Sequence, residues 1–132
     1  MSDRIAAVLD ASALTAYAEG NVSVGELMAE VADEGRQVAV PAACLAAAYA
    51  GTADEVGAAL LALLMTAPVV RLLPLDADDV RATGMLARAV DGDISLGHAA
   101  RAALTYRAHY ATAQPKEAAK VLPATWSILE LD

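Results

Sequence analysis

Phenylalanine is absent from this 132-residue chain, and four tyrosines and one tryptophan are its only aromatic residues. A core without large rings has to be built from leucine, valine and alanine. Alanine is the commonest residue and lets helices approach closely, so mostly helical structure is expected. Lysine is nearly missing as well: Lys116 and Lys120 are the only two, and the seven arginines are scattered from Arg4 to Arg107 without a dense run. Seventeen acidic residues leave a net charge of −8 and a pI of about 4.5. Phosphate affinity comes from Lys and Arg displacing condensed counterions, so this balance disfavours RNA as a partner and makes a basic protein surface the easier inference.

Cysteine is down to one residue, Cys44, which excludes an intrachain disulfide and any thiolate metal motif. The opening MSDRIAAVLD has no apolar stretch long enough for a signal peptide. Both point to the cytoplasm. Long hydrophobic runs are lacking too. The apolar uncharged stretch from Val56 to Val70 falls short of the roughly 20 residues that span a bilayer, and Pro68 breaks it. It reads as a buried helix followed by a turn, with no membrane partner.

What is present alternates between short apolar runs and helical segments. Ile5 to Leu9 suits a strand buried on both faces, as in a parallel sheet. Asp10 ends it, and Ala11 to Ala18 reads as a helix stopped at Gly20. Ser23 and Glu26 form a capping box for a helix from Val24 to Glu34, with Gly35 at its C-terminal side. Gln37 to Val40 is a second strand, and Pro41 suits the first turn of the next helix, which Gly51 ends. Asp54 to Met65 is a fourth helix and Val69 to Leu73 a third strand.

Asp76 is expected to cap a further helix whose acidic first turn, with Asp78 and Asp79, complements the helix dipole. After the loop DGDIS comes a helix from about Leu96 to His109, with His109 as a C-terminal cation partner. Tyr110 to Ala113 is a fourth strand, Gln114 and Pro115 open a short helix, and Trp126 to Leu131 alternates as an edge strand does. Strands alternating with helices predict one α/β domain, residues 1–132, around a central, mainly parallel sheet.

In such sheets ligands bind outside the carboxyl ends of the strands, where Asp10 falls. A hard divalent cation there needs several oxygen ligands. Asp10 alone also reads as a helix N-cap.

The opening VLDASAL, the strand and helix VAVPAACLAAAY, the segment DGDISLGHAARAAL and the late YATAQP, in this order, resemble a PIN domain. Over roughly Ile5 to Leu131 they most resemble the VapC-type toxin ribonucleases. The resemblance implies a three-layer α/β/α sandwich and one or two Mg²⁺ or Mn²⁺ ions, held by three or four acids, that activate water for RNA hydrolysis. By position, Asp10 matches the family's first-strand aspartate and Ser12 its nearby hydroxyl.

Three positions depart from that pattern. Ala47 stands where the family has a glutamate. Leu96 stands at the third acid, with Asp93 three residues earlier. Gln114 replaces the aspartate of the Thr-x-Asp segment, while Thr112 is kept. The resemblance therefore implies Asp10 and Asp93 as metal ligands and catalytic acids, with Ser12, Thr112, Gln114 and His98 around them. Lost carboxylates weaken divalent binding, because ligand charge count is a main lever on affinity.

Two functions follow from the resemblance. One is a protein with weak or lost hydrolysis acting as a binding or regulatory module, through a homodimer or a small antitoxin-like protein. The other is an active Mg²⁺- or Mn²⁺-dependent endoribonuclease, the toxin of a toxin–antitoxin pair.

Overall fold

The computed structural model of the protein describes residues 4–131. In chain order the elements are β1 (Ile5–Leu9), α1 (Ala11–Ala18), α2 (Ser23–Asp33), β2 (Gln37–Pro41), α3 (Ala42–Gly51), α4 (Glu55–Leu64), β3 (Val70–Leu73), α5 (Ala77–Ala87), α6 (Ile94–Tyr106), β4 (His109–Thr112), α7 (Pro115–Ala118) and β5 (Ile128–Glu130). The strands form one sheet in the order β3-β2-β1-β4-β5, and every pairing is parallel. With helices flanking it, the architecture is an α/β/α sandwich, as the alternation of elements predicts. The helical share is large, but the sheet organises it.

Burial follows position in the sheet. β1 lies at the centre and all five of its residues are buried, which explains its unbroken apolar sequence IAAVL. β3 lies at an edge, and Arg71 and Leu72 in it are exposed. α6 packs against β1, β2 and β4 and also touches α3 and α5. Seven of its residues, from Leu96 to Ala103, are buried.

Several boundaries differ from the sequence reading, each for a local reason. Ser23 is inside α2 rather than its cap. Asn21 does the capping work instead, its Oδ1 accepting from the Ser23 amide at 2.7 Å. Pro41 ends β2 in an extended conformation, and α3 begins after it. α6 starts two residues early because Asp93 caps it, and it ends at Tyr106, where Arg107 adopts a left-handed φ of 53°. His109 is thus not a helix C-terminal partner: it opens β4 and shares a 2.6 Å hydrogen bond with the Ser127 hydroxyl. β5 is shorter than the alternating run WSILEL suggests, because Trp126 turns aside to donate its indole N–H to the Ala108 carbonyl at 2.9 Å.

α5 and α6 form the most extensive helix pair, and Gly97 makes their approach possible. A Cβ at Gly97 would fall well inside van der Waals contact of the Thr83 carbonyl oxygen and press on Ala87. Backbone cannot yield as a flexible side chain can, so the two helices would have to separate. Gly97→Ala is expected to lose about 2 kcal/mol of stability, overpacking outweighing the roughly 1 kcal/mol gained in helix propensity. Urea unfolding of the variant at neutral pH checks this, and an unchanged midpoint would contradict the close approach.

Candidate functional site

The order β3-β2-β1-β4-β5 means that the chain builds outward from β1 in one direction and then, with β4, in the other. The strand order reverses between β1 and β4, and ligands of open parallel sheets bind outside the carboxyl ends at such a point. Asp10 follows β1 there, and Thr112 ends β4 beside it. A cleft of ≈ 30 Å³ opens at this place, lined by Asp10, Ala11, Ser12, Asp93, Ser95, Leu96 and Gln114. That is room for about two waters.

Asp10 is 4% exposed and caps α1. Its Oδ1 accepts from the Ser12 hydroxyl at 2.7 Å and from the Ala13 amide at 2.9 Å. Its Oδ2 accepts from the Thr112 hydroxyl at 2.6 Å. The two hydroxyls accept in turn: Ser12 Oγ from the Ala113 amide and Thr112 Oγ1 from the Gln114 amide, each at 2.9 Å. A hydroxyl has one proton to give. With both protons directed at Asp10, the 3.0 Å separation of Ser12 Oγ and Thr112 Oγ1 is close packing of two oxygens around one carboxylate.

Asp93 reaches the same cleft because Asp91 and Gly92 take successive left-handed conformations, with φ of 56° and 79°. These turn the chain sharply before α6. Asp93 Oδ1 then accepts from the Ser95 hydroxyl at 2.7 Å and from the Leu96 amide at 3.2 Å. Gln114 lies at the rim, exposed. Ala47 is exposed on α3 and is not part of the lining.

The structure therefore gathers Asp10, Ser12, Asp93 and Gln114 around one cleft, with Thr112 buried beneath it. His98 is elsewhere. It is 2% exposed, and its Nδ1 accepts from the Ala43 amide at 3.3 Å at the start of α3. The other side of the ring meets the Pro74 carbonyl. Burial lowers its pKa, and the Pro74 carbonyl with the carboxylates of Asp79 and Asp76 opposes part of that shift.

Two residues near Asp10 escaped the sequence reading as parts of the site. Tyr110 shares a face of β4 with Thr112 through the two-residue strand period, is fully buried, and its hydroxyl meets none of the described residues at hydrogen-bond geometry. Burial, and then the neighbouring Asp10 carboxylate, push its ionisation far above the usual tyrosine range. The Cys44 thiol donates to the Ser95 carbonyl at 3.0 Å. Burial, and then Asp10, hold it well above the ordinary thiol value, so it is no nucleophile. The alternation Tyr110, Thr112 was the available signal for the first. Nothing in the sequence around Cys44 pointed to the cleft.

A divalent cation of the Mg²⁺ type needs near-octahedral oxygen coordination anchored by carboxylates. This cleft supplies two carboxylates, and both oxygens of one already accept hydrogen bonds from inside the chain. Among the described residues no group of three or more His, Cys, Asp and Glu side chains comes together as a metal-binding set. The donor set is short of both ligands and negative charge for a tightly held ion. No protein-family model matches the chain, and no curated protein is significantly similar to it.

The lowered pKa of His98 has a definite sign in stability. Unfolding raises the group's proton affinity, so the unfolded chain takes up a proton as pH falls through about 6.5, the reference value for histidine. Stability is full above that pH and declines as the solution is acidified toward the folded-state pKa. Urea unfolding at pH 7.5 and 5.5, values bracketing roughly that reference, is expected to show a lower midpoint in acid. His98→Gln, which can still accept from Ala43 and donate to Pro74, is expected to reduce the difference. An equal drop in the variant would assign the acid sensitivity to other groups.

Proposed function

We propose that this chain is a PIN-like protein in which the cleft beside Asp10 no longer supports RNA hydrolysis, and that it acts as a binding or regulatory module. One observation carries the reading: both oxygens of Asp10 serve as acceptors for Ser12, Ala13 and Thr112, while an amide, Gln114, lies at the rim. Asp10 joins the ends of β1 and β4 and the start of α1. Its role here is to hold the sheet edge together.

The second reading, an active Mg²⁺- or Mn²⁺-dependent endoribonuclease, draws support from Asp93, which lines the same cleft and whose Oδ2 makes no hydrogen bond to the described residues. Calorimetric titration of Mn²⁺ separates the two. The wild-type protein is expected to show no saturable binding at micromolar Mn²⁺, and Gln114→Asp, which adds a third carboxylate to the lining, is expected to bind more tightly than the wild type. Asp10→Asn is expected to lose about 2 kcal/mol of stability with or without Mn²⁺, the cost of weakening hydrogen bonds to a charged acceptor. Micromolar binding by the wild type that Asp10→Asn abolishes, with Mn²⁺-dependent RNA cleavage, would overturn the module reading.

The module reading includes a second copy of the chain as partner. α3 and α4 carry no charged residue between Val56 and Val70 or between Pro41 and Thr52, and Val56 and Leu63 on α4 are 69% and 61% exposed. Val56 and Leu63, seven residues apart, lie on one face of α4 and give it an apolar surface on a chain of net charge −8. Large exposed apolar patches mark interaction sites. Sedimentation at micromolar concentration is expected to give a dimer for the wild type and a monomer for Leu63→Glu. A monomeric wild type would remove the homodimer from the reading. The described residues include no helix long and apolar enough to cross a membrane.

A further inference from the structure

Beside β3 runs a second groove, of ≈ 210 Å³, which shares no residue with the cleft at Asp10. Arg71 of β3, Asp76 and Asp79 at the start of α5, and Arg101 and Tyr106 of α6 are among its walls. β3 is an edge strand. The Val38 amide donates to the Val69 carbonyl at 2.9 Å, and the parallel register pairs Val38 with Val70 and Val40 with Leu72. In that ladder the main chain of residues 69, 71 and 73 faces β2, and that of residues 70 and 72 faces outward. The Val70 amide is taken by the Ala67 carbonyl. The Leu72 amide and carbonyl point to the open edge, beside a Leu72 side chain that is 48% exposed.

The two arginines have donors to spare. The Arg71 guanidinium lies 6.0 Å from the centre of the Tyr106 ring, and no carboxylate of the described residues reaches it as an ion pair. Arg101 engages Asp79 through Nε alone, at 3.0 Å, and its two terminal nitrogens make no bond to the described residues. Asp79 and Asp76 keep the groove from being strongly positive, which suits a singly charged carboxylate better than a phosphate dianion. The volume lies below the roughly 300 Å³ at which small-molecule sites begin, and is of a size for one side chain.

We propose that this edge docks an extended peptide whose backbone pairs with Leu72 and whose Glu or Asp side chain enters the groove between Arg71 and Arg101. Strand addition supplies affinity through main-chain hydrogen bonds, and the pocket supplies selectivity. The proposal rests on the binding-module reading for its role, but its chemistry is confined to the groove. A failed peptide experiment therefore sinks the docking surface alone, and Mn²⁺-dependent RNA cleavage sinks the module reading alone.

The test uses a labelled, end-blocked peptide, Thr-Val-Glu-Val-Thr, and its Gln counterpart, titrated into the full chain and into Arg71→Gln, with amide exchange followed by NMR. Arg71 is exposed, so the variant is expected to fold, and its circular dichroism checks that it does. The Glu peptide is expected to bind the wild type and to slow exchange of the Leu72 amide. Losing one charge-assisted hydrogen-bonded pair is expected to weaken binding about tenfold, for the Gln peptide and for Arg71→Gln alike. Equal affinity of the two peptides, or no binding at millimolar peptide, overturns the proposal. So does an acetate control that binds as tightly as the Glu peptide, with no protection of Leu72, since the groove would then be an anion site with no strand added.

Discussion

The carboxylate of Asp10 is the acceptor on which the carboxyl edge of this sheet depends. An ionised group at 4% exposure is costly unless hydrogen bonds replace its water. Here the replacement comes from a hydroxyl and an amide in the first turn of α1 and from the last residue of the neighbouring strand. β1 and β4 are separated by about a hundred residues of chain, and their ends meet over this one side chain. The central pair of strands, the start of α1 and the entry to α7 are all fixed by how those donors are arranged.

A second constraint comes from the shortage of large side chains. With no Phe and a single Trp, the core gains its density from backbones that come close together. α6 carries Ala99, Ala100, Ala102 and Ala103 against the sheet and Gly97 against α5. Packing of this kind tolerates little shift, since backbone meets backbone. It also fixes where Asp93 stands, because the residue that caps α6 moves only if the helix does.

Much of the fold could be read from residue order. The apolar run IAAVL, the caps Asp10 and Asp76, and the glycines that close helices located most elements to within a residue or two, because these signals act locally. The sequence reading failed where a distant contact or an unmarked backbone turn decided: Trp126 reaching back to Ala108 shortened β5, and Arg107 in a left-handed conformation ended α6 and released His109 into β4. Gathering Asp10, Ser12, Asp93 and Gln114 at one cleft needed the fold to bring distant segments together, and the resemblance anticipated that much. It could not anticipate that His98 turns toward α3, nor that a buried tyrosine hydroxyl lies beside Asp10. Side-chain direction within a helix turn, and depth beneath a sheet edge, leave no local mark in sequence.

The 3.0 Å contact between Ser12 Oγ and Thr112 Oγ1 has a consequence for what holds this edge together when the charge at Asp10 is removed. While Asp10 is charged, neither hydroxyl has a proton for the other. Once that charge is gone, one hydroxyl is free to rotate and bridge the two oxygens directly, so the start of α1 stays joined to the end of β4 by a weaker clasp. Two segments a hundred residues apart thus share a direct contact as well as a common acceptor, and the contact does not depend on the acceptor's charge.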